Sequence, residues 1–81
     1  MNTDDIRTTT ARLLTDIAPE ADPAQLNPDT SFRDQLDIDS VDLLNFLIAL
    51  NKEFGIEIPE RDYSKLMTLN SCVAYIQSAM G

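Results

Sequence analysis

Apolar residues recur at helical spacing in three stretches of the chain and lose that spacing between them. Ile6, Leu13, Leu14 and Ile17 share one side of a helix that Thr3 can cap, with Asp4 and Asp5 in a first turn whose free N–H groups favour acids. From about Ala18 to Ile38, Pro19, Pro23 and Pro28 punctuate a connection far longer than the usual median of about four to six residues. Leu26, Phe32 and Leu36 are its only large apolar residues and should pin it to the core, and Thr30-Ser31 can cap a short turn within it. Ser40 to Phe54 contains no Gly or Pro, is rich in Leu and stops at Gly55, which suits the left-handed position just past a helix end. Ile56-Glu57-Ile58-Pro59 reads as an extended link, too short to count as a sheet strand, and Pro59 opens a short helical turn through Glu60, Arg61, Asp62 and Tyr63. Thr68 can then cap a last helix with Leu69, Val73, Ile76 and Met80 on one face and Cys72 alongside. The expectation is an all-α four-helix bundle, three longer helices plus a short third one, forming a single domain over residues 1–81 with a long first connection.

The Ser40–Phe54 helix carries more apolar surface than one buried face requires. At 100° per residue, Leu43, Phe46, Leu47, Leu50 and Phe54 fall on one arc and Asp42, Asn45, Lys52 and Glu53 on the opposite side. Val41, Leu44 and Ile48 form a further stripe beside the core arc. Two readings of that stripe stand at this point: a surface for a partner, or a helix buried on most sides.

Composition narrows the function classes. The 81 residues hold 6 Lys+Arg against 14 Asp+Glu, a net charge of −8, so nucleic acid phosphates and anionic bilayers would repel the chain. With 43% hydrophobic residues it still has the material for a core. The absence of His and the single Cys72 remove the usual metal ligand, general base and any intrachain disulfide. The longest apolar run, Phe46 to Leu50, is far short of the ~20 residues of a membrane span, and the acidic start lacks the basic segment of an export signal. The expected setting is cytoplasmic, the expected state a monomer.

Candidate chemistry gathers in Leu36-Asp37-Ile38-Asp39-Ser40-Val41-Asp42, where one hydroxyl stands between carboxylates at the foot of a helix. Free N–H groups and the helix dipole would favour a phosphate there. Read locally, Asp39 or Ser40 is simply the helix cap and Asp42 a first-turn acid. A calcium loop fails: Asp37 and Asp39 match the first two ligands, but Val41, Asp42 and Ile48 stand where a ligand, a Gly and a bidentate Glu are required. Ser40 has no His to activate it, so any reaction at its hydroxyl must be driven by another protein.

Asp37-Ile38-Asp39-Ser40-Val41-Asp42-Leu43, then Asn51-Lys52-Glu53-Phe54-Gly55-Ile56-Glu57-Ile58-Pro59, then Leu66-Met67-Thr68-Leu69 together resemble an acyl carrier protein, in matching order and spacing from about Phe32 to Ile76. The resemblance implies that a phosphopantetheinyl transferase attaches 4′-phosphopantetheine from coenzyme A to Ser40, flanked by Asp39. It implies that the terminal thiol of that group holds acyl units as thioesters for enzymes of fatty acid, polyketide or related lipid synthesis, such as an acyl–carrier synthetase, a ketosynthase or an acyltransferase. Asp37, Asp39, Asp42, Glu53, Glu57, Glu60 and Asp62 would meet basic patches on those partners, with Val41, Leu44 and Ile48 on the docking surface. Phe32, Phe46, Leu47, Leu50, Phe54, Ile58, Tyr63, Leu66, Cys72 and Ile76 would surround an interior able to hold an acyl chain. No catalysis by the chain itself, no bound metal and no stable membrane insertion are implied.

The chain also departs from that pattern. Asp37 stands where the family commonly has Gly, Val41 where it has Leu or Met, and Asn45, Asn51, Lys52 and Arg61 at positions often acidic. Tyr63 and Cys72 occupy places usually given to small residues. These differences point to a specialised carrier. An aminoacyl or peptidyl carrier, and an unmodified acidic helical adaptor for basic partners, are the alternatives.

Overall fold

A computed structural model of the protein describes residues 2–80. Its elements are α1 (Thr3–Ile17), α2 (Phe32–Gln35), α3 (Ser40–Phe54), a 3-10 helix (Glu60–Lys65) and α4 (Leu69–Met80), with no strand among the described residues. α1 packs against both α3 and α4, and the 3-10 helix packs against α4.

The long helices have the ends that the sequence leads one to expect, with one shift. Asn2, not Thr3, caps α1: its Oδ1 accepts from the Asp5 N–H at 2.8 Å, and Thr3 is already helical. α3 ends at Gly55, whose φ of 63° is left-handed and whose N–H donates to Asn51 O at 2.9 Å. At α4, Thr68 Oγ1 accepts from the Ser71 N–H at 3.0 Å while Ser71 Oγ accepts from the Thr68 N–H at 3.1 Å, a reciprocal cap.

The long connection contains an element that periodicity did not reveal, the four-residue α2. Ser31 precedes it without capping it through its side chain. Polar side chains hold this segment instead. Gln35 Oε1 accepts from the Asn27 N–H, and Gln35 Nε2 donates to the carbonyls of Asn27 and Thr30, each at 2.9 Å. The Phe32 N–H donates to Met67 O at 2.8 Å and the Asn70 N–H to Pro28 O at 3.0 Å, so the connection is tied to the start of α4. Phe32 itself is fully buried, whereas Leu26 and Leu36 lie half-buried against the core.

One apolar cluster fills the interior: Ile6 and Leu14 from α1, Phe32, then Leu43, Phe46, Leu47, Leu50 and Phe54 from α3, Ile56, Leu66, and Leu69, Cys72, Val73 and Ile76 from α4. Phe32 and Phe46 meet edge to face with ring centroids 5.4 Å apart. Cys72 donates to Leu66 O at 3.4 Å, and burial pushes its thiol up to about 12, which leaves it inert as a nucleophile. Among the described residues the Thr10 hydroxyl is buried in α1 without a hydrogen-bond partner. Pro59 lies just before the 3-10 helix rather than at its first position. That helix is held by Asp62, which accepts from Tyr75 Oη at 2.7 Å and pairs with Lys65 at 3.2 Å.

Candidate functional site at the foot of α3

The first turn of α3 is organised by two carboxylates. Asp39 has an extended backbone and its Oδ1 accepts from the Asp42 N–H at 2.8 Å; Asp42 Oδ2 accepts in return from the Asp39 N–H at 3.3 Å. The Leu43 N–H reaches Asp39 O at 3.1 Å. Asp39 is therefore the cap, and Ser40, the first helical residue, is relieved of that task. Its side chain is exposed, its hydroxyl has no partner among the described residues, and neither do the N–H groups of Ser40 and Val41. An unengaged hydroxyl beside two free helix N–H groups suits an anionic phosphodiester, which those groups and the helix dipole would stabilise. Ser71, by contrast, spends its hydroxyl on Thr68.

Beginning at the next residue and continuing one and two turns further on, the apolar stripe lies in solvent. Val41 is 62% exposed, Leu44 42% and Ile48 44%, while the neighbouring core arc is buried. This settles the choice between a helix buried on most sides and one with an uncovered apolar face, in favour of the second. Asp37, Asp39, Glu57 and Glu60 are exposed, and Asp42 is half-buried in its capping pair.

Two of the acids named from the sequence are engaged inside the molecule. Glu53 pairs with Arg12 of α1, so it lies along the seam between α1 and α3, away from the stripe. The Tyr75 hydroxyl, and after it Lys65, hold the Asp62 carboxyl below its ordinary value.

The residues expected around an acyl chain divide into two groups. Leu47, Ile58 and Tyr63, with Ile48 and Asn51, line a cavity of about 180 Å³ between α3 and the 3-10 helix. Phe32, Phe46, Leu50, Leu66, Cys72 and Ile76 are fully buried, and Phe54 nearly so, in a closed core. Asn51 was missed as a site residue. Its amide donates to Ile56 O, turning the chain after Gly55 along one wall of the cavity. An Asn on the last turn of a helix, four residues before a C-terminal Gly, was the available signal. A larger groove of about 550 Å³, lined by Arg7, Ala11 and Thr15 of α1, Pro23 of the long connection and Leu69 of α4, shares no residue with this site.

The sequence matches the family described as "Phosphopantetheine attachment site" over residues 5–76. It is 40% identical over 62 residues to the acyl carrier protein of Lactobacillus acidophilus, covering 76% of this chain and 78% of that one. The chain belongs to the acyl carrier protein family. It is also 38% identical over 56 residues to the meromycolate extension acyl carrier protein of Mycobacterium tuberculosis, covering 69% of this chain and 49% of that one. The solved acyl carrier protein of Enterococcus faecalis superposes with a TM-score of 0.82 at 26% identity, over 98% of this chain and 99% of that one. As an acyl carrier protein, the chain takes 4′-phosphopantetheine as its covalent group, and the exposed, unpartnered hydroxyl at the foot of α3 is compatible with it. Among the described residues no helix is long and apolar enough to cross a membrane.

Proposed function

We propose that Ser40 is the attachment residue and that the protein carries acyl intermediates of fatty acid, polyketide or related lipid synthesis. The observation that carries this reading is the division of labour in the first turn of α3. Asp39 and Asp42 close the helix end between themselves and leave the Ser40 hydroxyl exposed and unengaged. Attachment forms one phosphodiester bond at Ser40 Oγ, releases the hydroxyl proton, and expels the nucleotide portion of coenzyme A. No residue near Ser40 is bonded to it as a base, and the chain has no His, so the partner transferase supplies that step. Once attached, the group contributes a thiol on a long flexible arm, and a tethered acyl unit meets a docked enzyme at a high effective concentration.

Val41, Leu44 and Ile48 form the docking face in this reading, with Asp37, Asp39, Asp42, Glu57 and Glu60 steering basic patches of the transferase and of acyl-transferring enzymes toward it. Such steering is weakened by salt, which suits brief and repeated contacts. Glu53 has its carboxylate on Arg12, on the side of α3 away from that stripe. The protein acts as a monomeric cytoplasmic carrier, without catalysis of its own, bound metal or nucleic acid. The relative named for meromycolate extension supports a lipid cargo. The test is intact mass after incubation with coenzyme A and a promiscuous phosphopantetheinyl transferase. The wild type should gain one phosphopantetheine and Ser40→Ala none; a wild type that gains nothing would instead be an unmodified adaptor.

A further inference from the structure

The groove beside α1 shares no residue with the foot of α3, and the carrier reading makes no use of it. At about 550 Å³ it falls within the ~300–1,000 Å³ of ordinary small-ligand sites. Thr8, Ala11 and Thr15 follow one another at i, i+3 and i+7, so short side chains run about 10 Å along the helix at ~1.5 Å per residue. Ala11 is buried, and the Thr15 hydroxyl donates to Ala11 O at 2.8 Å, which leaves it no need of an outside partner. Pro23 from the long connection and Leu69 from α4 complete a mostly aliphatic lining that contains no aromatic ring. Such walls suit a flexible alkyl body better than a flat ring that must stack.

Charge fixes the other end of the occupant. Arg7 lines the groove half-buried, and its guanidinium forms no ion pair or hydrogen bond among the described residues. Arg12, by contrast, pairs with Glu53 and is already neutralised. A guanidinium matches a carboxylate through two parallel N–H bonds. Asp16 also lines the groove, and its negative charge favours a singly charged head over a phosphate dianion. An acyl unit held as a thioester has no charge to offer Arg7, which restricts the site to the free acid.

We infer that the α1 groove is a second ligand site, separate from Ser40, for a free aliphatic monocarboxylate. Its head meets Arg7, and its alkyl chain lies along Thr8, Ala11 and Thr15 against Leu69. The inference goes beyond the carrier reading and does not depend on it.

The experiment titrates the full, unmodified, isotope-labelled chain at neutral pH with sodium decanoate below its micelle-forming concentration, and follows the backbone amides by NMR. The amides of Arg7, Thr8, Ala11, Thr15 and Leu69 should shift together and saturate. Arg7→Gln should raise the Kd about tenfold, the loss expected for a charge-assisted hydrogen bond at the low end of its range. Added salt should weaken binding to the wild type more than to Arg7→Gln. Decyltrimethylammonium, which has the same alkyl chain and the opposite charge, should leave these amides in place. Shifts centred instead on Leu47, Ile58 and Tyr63, or on Val41, Leu44 and Ile48, would overturn the inference, as would no shift at all. So would equal shifts from the cationic probe, or an unchanged Kd in folded Arg7→Gln. If the same amides move on concentrating the chain alone, the groove belongs to a second copy and the inference fails. The wild-type titrations with the two probes decide the matter even if Arg7→Gln does not fold. Nothing is attached to Ser40 in this experiment, so its failure leaves the carrier reading intact.

Discussion

Replacing Asp39 separates the two things that a carboxylate does at the foot of α3. Its Oδ1 bonds to the Asp42 N–H at 2.8 Å, and its charge faces the positive end of a 15-residue helix. Asp39→Ala removes both. Loss of a cap costs typically ~1 kcal/mol, and the charge adds about 0.3–1 kcal/mol at low ionic strength. The return bond from Asp39 N–H to Asp42 is long at 3.3 Å, so its loss adds little. For a domain of this size ~1 kcal/mol corresponds to a Tm decrease of about 4–8 °C. Asp39→Asn keeps an oxygen for the Asp42 N–H and loses only the charge, so it should cost less than half as much, and added salt should reduce that remainder. Thermal unfolding of the unmodified chain, followed by helical circular dichroism at low and high salt, measures both. Equal losses for Asp39→Asn and Asp39→Ala would show that charge, rather than the cap bond, holds the turn, contrary to this expectation. An unchanged Tm in Asp39→Ala would refute the cap assignment itself.

Thr10→Val keeps the shape of the side chain and removes the buried, unpartnered hydroxyl, so stability to urea should rise by about 1 kcal/mol; a loss would show that the hydroxyl has a partner. Leu44→Arg should slow transfer of phosphopantetheine from coenzyme A while leaving Tm within a few degrees, because Leu44 is 42% exposed and lies outside the buried core cluster. An unchanged transfer rate would remove Leu44 from the docking face. The Asp62 carboxyl, held low by Tyr75 and then Lys65, stabilises the fold above its ordinary value of 3.8, and that contribution is lost as pH falls through its lowered value in the folded protein. Tyr75→Phe removes the largest cause, so the Asp62 pKa followed by NMR should return toward 3.8; no movement would contradict the hydrogen bond.

The parts of the fold written in side-chain periodicity were legible from sequence, and the parts written in single hydrogen bonds were not. Ser40–Phe54 has a polar cap, an uninterrupted Leu-rich run and a terminal Gly, three independent signals for the same boundaries, and the helix has those boundaries. The same wheel separated the buried arc from the Val41, Leu44 and Ile48 stripe, because 100° spacing alone decides which side chains share a face. α2 is a single turn, too short to show a period, and its segment is fixed by Gln35 and Asn27 within the connection and by Asn70 from α4, single bonds that no periodic pattern encodes. Glu53 illustrates the same limit. It reads as one more acid near the end of α3, and only the packing of α1 brings Arg12 to it. Within the site, the motif pointed to the Asp-Ser pair but left open which residue caps the helix, and Asp39 and Asp42 divide that work in the structure.

In the proposed reading Ser40 alone among Ser31, Ser40, Ser64, Ser71 and Ser78 bears the prosthetic group. Fragment mass spectrometry of protein recovered after transfer from coenzyme A reads this directly. The whole phosphopantetheine mass should reside on the peptide containing Ser40, with none on the other four. A modified peptide that lacks Ser40, or persistent modification of Ser40→Ala, would contradict the account.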